Sequence, residues 1–236
     1  MNKIVKRTSE TKFVIGPPTN FNTNVNLEQW LAFTSGITST NELYRLIPDV
    51  QQGDDDFNRV GNTIQPLSLS VKVNLAATSS TSMSVYADVY FLISKTVKDY
   101  RLTNGINTAK LLNAGDGTNV PYDGTSYTAM LPVNKAEFTV IAHKRFMLQK
   151  GNLDPNAALS GSVVPASDTF SYTRSFSQKI PLPKKFQYEA RAQTQPTNYF
   201  PFMCVGFVGT DTNGNTAPIT ARIGVQAQSH LYYKDE

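Results

Sequence analysis

The chain has 236 residues and a mass of 26.0 kDa, enough for one large domain with a full core or two small ones. Apolar residues make up 40% and charged residues 17%, which excludes charge-driven disorder, and no apolar run reaches ~18 residues, which excludes a membrane-spanning helix. One cysteine, Cys204, and two histidines, His143 and His230, exclude a disulfide framework and any multi-cysteine metal site.

The start, Met1-Asn-Lys-Ile-Val-Lys-Arg, lacks the apolar stretch and small-residue cleavage site of a secretory signal. Residues 1–12 carry four basic groups, Lys3, Lys6, Arg7 and Lys12, against one acid. They read as a short basic arm ahead of a single domain spanning 13–236. Thr11–Ile15 alternates into a first short strand that ends at Gly16-Pro17-Pro18. Helix is scarce. Asn26–Phe33 has a capping Asn and apolar residues at Leu27, Trp30 and Leu31, and Thr40–Ile47 stops at Pro48, so each predicts one or two turns.

Asp54, Asp55 and Asp56 follow Gln52-Gly53. Three adjacent carboxylates either form a solvated turn, hold a divalent cation at a subunit contact, or meet a basic group of a neighbouring copy; their spacing is not that of an EF-hand. Then comes the clearest element. Leu67, Leu69, Val71, Val73 and Leu75 alternate with Ser68, Ser70, Lys72 and Asn74, a period of two that puts five aliphatic groups on one face of a strand. Val85–Ile93 is apolar on both faces except at Asp88, which predicts a central strand covered on both sides.

Residues 96–135 are rich in Asn, Gly, Thr and Ser and read as a long loop with room for one more strand. Phe138–Leu148 is a further long strand. Residues 149–174 form a second long polar loop, and Phe176–Leu182 a strand that Pro181 places at an edge or bulge. Phe200–Val208 is apolar, and Ile219–Leu231 alternates again. Long loops of this kind usually have a role. Seven strands, with an eighth possible from 100–135, predict an all-β sandwich or jelly roll with long loops and one or two short helices.

The catalytic motifs are missing: no G-x-S-x-G, H-E-x-x-H, P-loop or strand-borne G-x-G-x-x-G occurs. The chain reads as a non-enzyme without a cofactor. Gly206 and Gly209, like Gly115 and Gly117, read as turn glycines, and Cys204 as an inert core thiol. The basic residues carry more information. Residues 135–191 hold nine basic groups against four acids, and the whole chain has a net charge of +4 and a pI of about 9.0. Lys144 and Arg145 lie together on one strand; Lys179, Lys184 and Lys185 gather around the next, near Phe186 and Tyr188. Cations at backbone spacing beside aromatics are what binding of single-stranded nucleic acid requires; lysines on solvated faces and edges explain them equally well.

The segment Gln52-Gly-Asp-Asp-Asp-Phe-Asn-Arg-Val-Gly-Asn-Thr-Ile64, leading into the alternating strand, resembles the Q-G-…-R-[IV]-G-[NK]-x-[IV] run in capsid proteins of small circular, replication-initiator-encoding (CRESS-DNA, circovirus-like) single-stranded DNA viruses. The order of Phe138–Leu148, Phe176–Leu182, Asn198–Val208 and Ile219–Tyr233 resembles that group too. This resemblance implies an eight-stranded viral jelly roll that self-assembles, commonly as sixty copies in a T=1 icosahedral virion around single-stranded DNA, with assembly in the host nucleus and an unspecified host receptor. It places Arg59 and Gly61 in the turn that opens the strand, Gly61 in a conformation closed to larger residues and Arg59 as an anchor. It puts the basic arm and inward lysines against the genome and the long loops on the outer surface. Family members begin with a longer arginine-rich arm; sixty copies at +4 fall several-fold short of the phosphates of a genome encoding this chain, which leaves a missing upstream arm, packaging with other cations or an empty particle, the first being favoured. Two other readings remain: the coat protein of an RNA satellite-type virus, and a monomeric carbohydrate-binding β-sandwich using Trp30, Tyr122, Tyr127, Tyr188 and Tyr199 as stacking platforms.

Overall fold

A computed structural model of the chain describes residues 10–22, 44–77, 85–99, 101–102, 106–122, 124–148, 173–209 and 223–235. The expected helix at 26–33, the loop at 149–172 and the arm residues Lys3, Lys6 and Arg7 lie outside them.

Twelve strands and one short helix follow in chain order: β1 (Thr11–Ile15), β2 (Thr19–Asn22), β3 (Tyr44–Arg45), β4 (Thr63–Ala77), β5 (Val85–Ser94), β6 (Leu112–Gly115), β7 (Thr118–Val120), α1 (Ser126–Met130), β8 (Phe138–Leu148), β9 (Thr173–Ile180), β10 (Phe186–Gln187), β11 (Pro201–Gly209) and β12 (Ile223–Asp235). One sheet runs β1–β12–β4–β10, with β2 also on β12 and β9 also on β4; the other runs β3–β11–β5–β8; β6 and β7 form a separate hairpin. Sharing a position between β1 and β2, and between β9 and β10, leaves eight strand positions. First pairs with last, second with seventh, third with sixth and fourth with fifth, all antiparallel. A ribbon folded on itself in that way and wrapped into two sheets is a jelly roll. The all-β expectation holds.

Alternation explains the core. Leu69, Val71, Val73 and Leu75 of β4, with Val225, Ala227, Leu231 and Tyr233 of β12, face Ala87, Val89 and Phe91 of β5 and Met203, Val205 and Phe207 of β11. A fully buried side chain of this size contributes about 1.5–3 kcal/mol. Leu67 departs from the expected pattern and is exposed. The register between β4 and β12 slips between Tyr232 and Tyr233, so that Tyr233 faces Pro66 and Leu67 is left without a partner. This is a β-bulge, and it turns Ile64 and Pro66 inward in place of Leu67.

Three expectations are corrected. The eighth strand of the jelly roll is β3, while the strands that 100–135 does supply, β6 and β7, form the separate hairpin. Tyr44 and Arg45, expected within a helix over 40–47, pair instead with Met203 and Phe202 of β11, because a sheet edge with open hydrogen-bonding groups outweighs a weak helical pattern one turn long. The described residues between 96 and 135 are not an open loop. They lay Val97, Ile106, Leu111, Leu112, Tyr122, Ala129 and Val133 onto the outer face of the four-stranded sheet, over Tyr90, Leu92, Phe202, Cys204 and Val208. A second apolar core results, so β5 is covered on both sides as its sequence predicted.

Within that covering segment Thr125 caps α1, its side chain accepting from the Thr128 amide. Asp116, Gly115 and Gly117 take positive φ at the β6–β7 turn. Gly206 is not a turn glycine. It lies within β11 opposite Asp88, and a Cβ there would stand 2.5 Å from the Tyr122 ring. Its lack of a side chain lets the covering segment press onto the sheet. Gly206→Ala is expected to destabilise the protein by about 1–3 kcal/mol and to raise amide hydrogen exchange selectively across 106–133. Uniform exchange along the chain would show that Tyr122 does not depend on this gap.

Candidate functional site

The residues singled out by charge fall into two groups, those locked inside the fold and those left on its surface. Lys12 is in the first group. It is the second residue of β1 rather than part of an arm, and it faces inward opposite Tyr233. Its ammonium pairs with Asp235 at 2.9 Å and donates to the Asn58 carbonyl at 2.8 Å. With 8% of the residue exposed, it ties the chain's two end strands to the acidic turn and is not available to a polyanion.

Arg59 is fully buried. Its guanidinium donates to the carbonyls of Gly61 at 2.5 Å, Ala190 at 2.9 Å and Gln193 at 2.8 Å, and lies 4.2 Å from the Tyr188 ring centroid. Burial draws its pKa down, opposed by Tyr188, Asp235 and Tyr233; an arginine remains a cation under such a shift. Arg59 therefore anchors the turn that opens β4 to the 190–193 segment, as the resemblance implied. Gly61 differs from expectation. It is not among the positive-φ glycines, and its contribution is the carbonyl that Arg59 holds.

Asp54, Asp55 and Asp56 are exposed around a turn. Among the described residues no three His, Cys, Asp or Glu side chains group to hold a metal ion. The Asp55 carboxylate accepts from Asn58 Nδ2 at 3.0 Å instead, so the turn is closed by its own hydrogen bonds.

Lys144 and Arg145 are neighbours in sequence and point to opposite faces of β8, as successive strand residues must. Lys144 lies 4.6 Å from the centroid of the Phe176 ring on β9, at the rim where the two sheets meet. Arg145 turns to the other face and serves Asp88. That carboxylate is wholly buried and accepts from Arg145 Nε at 2.8 Å, Arg145 Nη2 at 3.1 Å, the Tyr122 hydroxyl at 3.0 Å and, on Oδ1, meets His143 Nε2 at 2.9 Å. Arg145 also donates to the Ala129 carbonyl, and His143 stacks on Tyr90 at 4.2 Å. Burial alone would raise the Asp88 pKa, but the bonds from His143, Arg145 and Tyr122 outweigh it and hold the carboxyl below its usual range. The cluster pins the covering segment, through Tyr122 and Ala129, to β5 and β8. Cys204 lies in the same core, and burial pushes its thiol pKa up.

Lys179, Lys184 and Lys185 stay exposed, Lys179 on β9 and the other two in the turn before β10. Lys179 belongs to the outer face of the six-stranded sheet. There Ser70 lies opposite both Lys179 and His230, Lys72 opposite both Ser177 and Gln228, and Asn74 opposite both Ser175 and Gln226. A shallow groove of about 670 Å³ crosses this face, lined by Lys72, Asn74, Ser175, Ser177, Gln226 and Gln228. Sequence reasoning missed Lys72, although the polar half of the β4 alternation had marked its face. Of the proposed sugar platforms, Tyr122 and Tyr188 are buried and Tyr199 half-buried, Tyr127 is exposed, and Trp30 lies outside the described residues.

No family model and no curated protein matches the chain. Among solved structures it is similar to the VP2 subviral particle of infectious bursal disease virus, with a TM-score of 0.27 and 10% identity over 97% of this chain and 37% of that one. The chain thus spans little more than a third of that protein's length. A likeness at this TM-score carries no argument, and the jelly-roll assignment rests on the strand ladders.

Asp88→Asn is expected to cost about 2 kcal/mol at pH 7, the worth of hydrogen bonds to a buried charge. The native carboxyl titrates below its unfolded value of about 3.9, so its contribution is complete above that pH and is lost as pH falls through the depressed native value. Urea unfolding of both proteins should therefore show their difference shrinking between pH 5 and pH 2. A constant difference would remove the charge from the explanation.

Proposed function

We propose that the chain is a coat-protein subunit, a non-enzymatic protein whose copies assemble into a closed virion shell around nucleic acid. The finer form of this reading is a sixty-copy T=1 shell enclosing circular single-stranded DNA, with assembly in the host nucleus. Three things support it: the eight-position jelly roll, the resemblance of Gln52–Ile64 and the later strand order to capsid proteins of such viruses, and an apolar surface left uncovered.

That surface is the observation that carries most weight. Tyr86 and Met147 are paired across β5 and β8 and are 36% and 47% exposed; Tyr127 and Met130 on α1 are 61% and 79% exposed. Tyr127 and Met130 lie three residues apart on one side of the helix. The bond from Arg145 to Ala129 holds α1 on the outer face of the four-stranded sheet, the face from which Tyr86 and Met147 project. Large exposed apolar groups in one patch mark contact surfaces, and Tyr, Met and Arg are enriched there. A contact between unlike surfaces of identical copies closes into rings or shells when its rotation allows. The RNA-satellite alternative differs in cargo only, since phosphate contacts do not report the sugar.

Sedimentation velocity and negative-stain imaging of the full chain test the proposal. Particles, or oligomers that grow with salt and concentration, are expected, and nuclease sensitivity of their contents separates DNA from RNA. Met130→Glu should raise the concentration needed for assembly at least tenfold while leaving the melting temperature within a few degrees, because the side chain is solvated in the monomer. A protein that stays monomeric at high concentration, with glycan binding in its place, would overturn the assembly reading.

A further inference from the structure

The six-stranded sheet has an unusual charge composition. Across all the residues of β1, β2, β4, β9, β10 and β12 there is one acid, Asp235, and it is held by Lys12 on the inward side. The outward side keeps Lys72 and Lys179, both exposed, and the half-buried Lys234. No ion pair among the described residues occupies any of the three. The register makes Lys72 and Lys179 diagonal neighbours across β4 and β9, about 7–8 Å apart for such a pair.

Around them lie groups that donate hydrogen bonds without adding negative charge. Asn74 Nδ2 donates to Gln226 Oε1 at 3.2 Å, and Ser175 donates to Asn74 Oδ1 at 2.9 Å, so the row of amides and hydroxyls is ordered along the groove. At the far end of the same face, Phe13 and Tyr232 stand side by side with centroids 6.2 Å apart, 53% and 46% exposed. The Leu67 bulge lies next to them. Aromatic rings are kept in water on this acid-free face, one step along the sheet beyond the Lys179 and His230 row, with no apolar partner among the described residues that covers them.

We infer that the outer face of the six-stranded sheet is a sequence-tolerant binding surface for single-stranded nucleic acid, with Lys72 and Lys179 on successive backbone phosphates, the Asn74–Gln226–Gln228 amides on phosphate and sugar oxygens, and Tyr232 with Phe13 stacking an unpaired base. The identity of the polymer rests on the coat-protein reading; the location and chemistry rest on this face. A duplex keeps its bases out of reach of the rings, and a sulfated polysaccharide offers anions but no planar π-face, so the combination of lysines with a ring pair favours a single strand. The polymer would run from the Asn74–Gln226 amides past Lys72 and Lys179 to the aromatic pair.

The test uses the full chain and a fluorescein-labelled oligothymidylate, with affinity measured by anisotropy against salt. Each phosphate neutralised contributes about 0.7 to the slope of log K on log salt for a single strand. Lys72→Gln with Lys179→Gln is therefore expected to flatten the slope by about 1.4, while Lys98→Gln with Lys135→Gln, at exposed positions on the covering segment, leaves it unchanged. Tyr232→Ser should weaken binding about tenfold with no change in slope. Equal flattening by both lysine pairs, an unchanged slope in the first pair, or binding of heparin in preference to oligothymidylate would each overturn the inference. Sedimentation of the same variants keeps the two questions apart: particles whose oligonucleotide binding ignores Lys72 and Lys179 refute this surface alone, and a monomer whose binding follows them refutes the shell alone.

Discussion

The ladder between β4 and β12 organises everything else in the molecule. Thirteen residue pairs join the two strands, and every other element of the six-stranded sheet attaches to one of them. Because side chains alternate, one set of pairings does two jobs. It sends Leu69, Val71, Val73 and Leu75 into the core against Val225, Ala227 and Leu231, and it arrays Lys72, Asn74, Gln226 and Gln228 on the opposite face. Slipping the register by one residue would exchange the two sets. The bulge at Leu67 marks where this order changes, and there the outward face passes from polar to aromatic.

Charge in this protein is sorted by depth. Lys12, Arg59 and Arg145 are built into the interior or its margin, each held by carbonyl or carboxylate oxygens, and each ties a segment that strand pairing alone would leave loose: the acidic turn, the 190–193 segment and the segment covering the four-stranded sheet. A cation taken out of water needs partners for its donors: Lys12 and Arg145 each meet a carboxylate, and Arg59 places both terminal nitrogens on carbonyls while its Nε stays without a partner. What remains outward on the six-stranded sheet is a small number of lysines without acids near them. Modest net charge is compatible with the proposed polymer-binding surface for that reason, since local balance and not the total governs attraction at the short screening distances of physiological salt.

The two sheets have different surroundings as a consequence. The outer face of the four-stranded sheet is sealed by 96–135 through Tyr122, Gly206 and Asp88, and it turns tyrosine and methionine side chains to solvent at its margin. The outer face of the six-stranded sheet is left open, polar along Lys72, Asn74 and Gln228 and aromatic at Phe13 and Tyr232. This division underlies both proposals, the apolar margin for contact between copies and the open face for a flexible polymer.

The sequence by itself determined the fold class, five of the long strands to within a few residues and the central placement of β5, because period-two alternation and an apolar run are local signals. Only the tertiary structure decided that β3 completes the jelly roll, that the described residues between 96 and 135 form a second core, and that Lys72 and Lys179 become diagonal neighbours. Those outcomes depend on pairings between residues tens to hundreds of positions apart, and the free energy that selects them comes from contacts across strands, which no local pattern encodes.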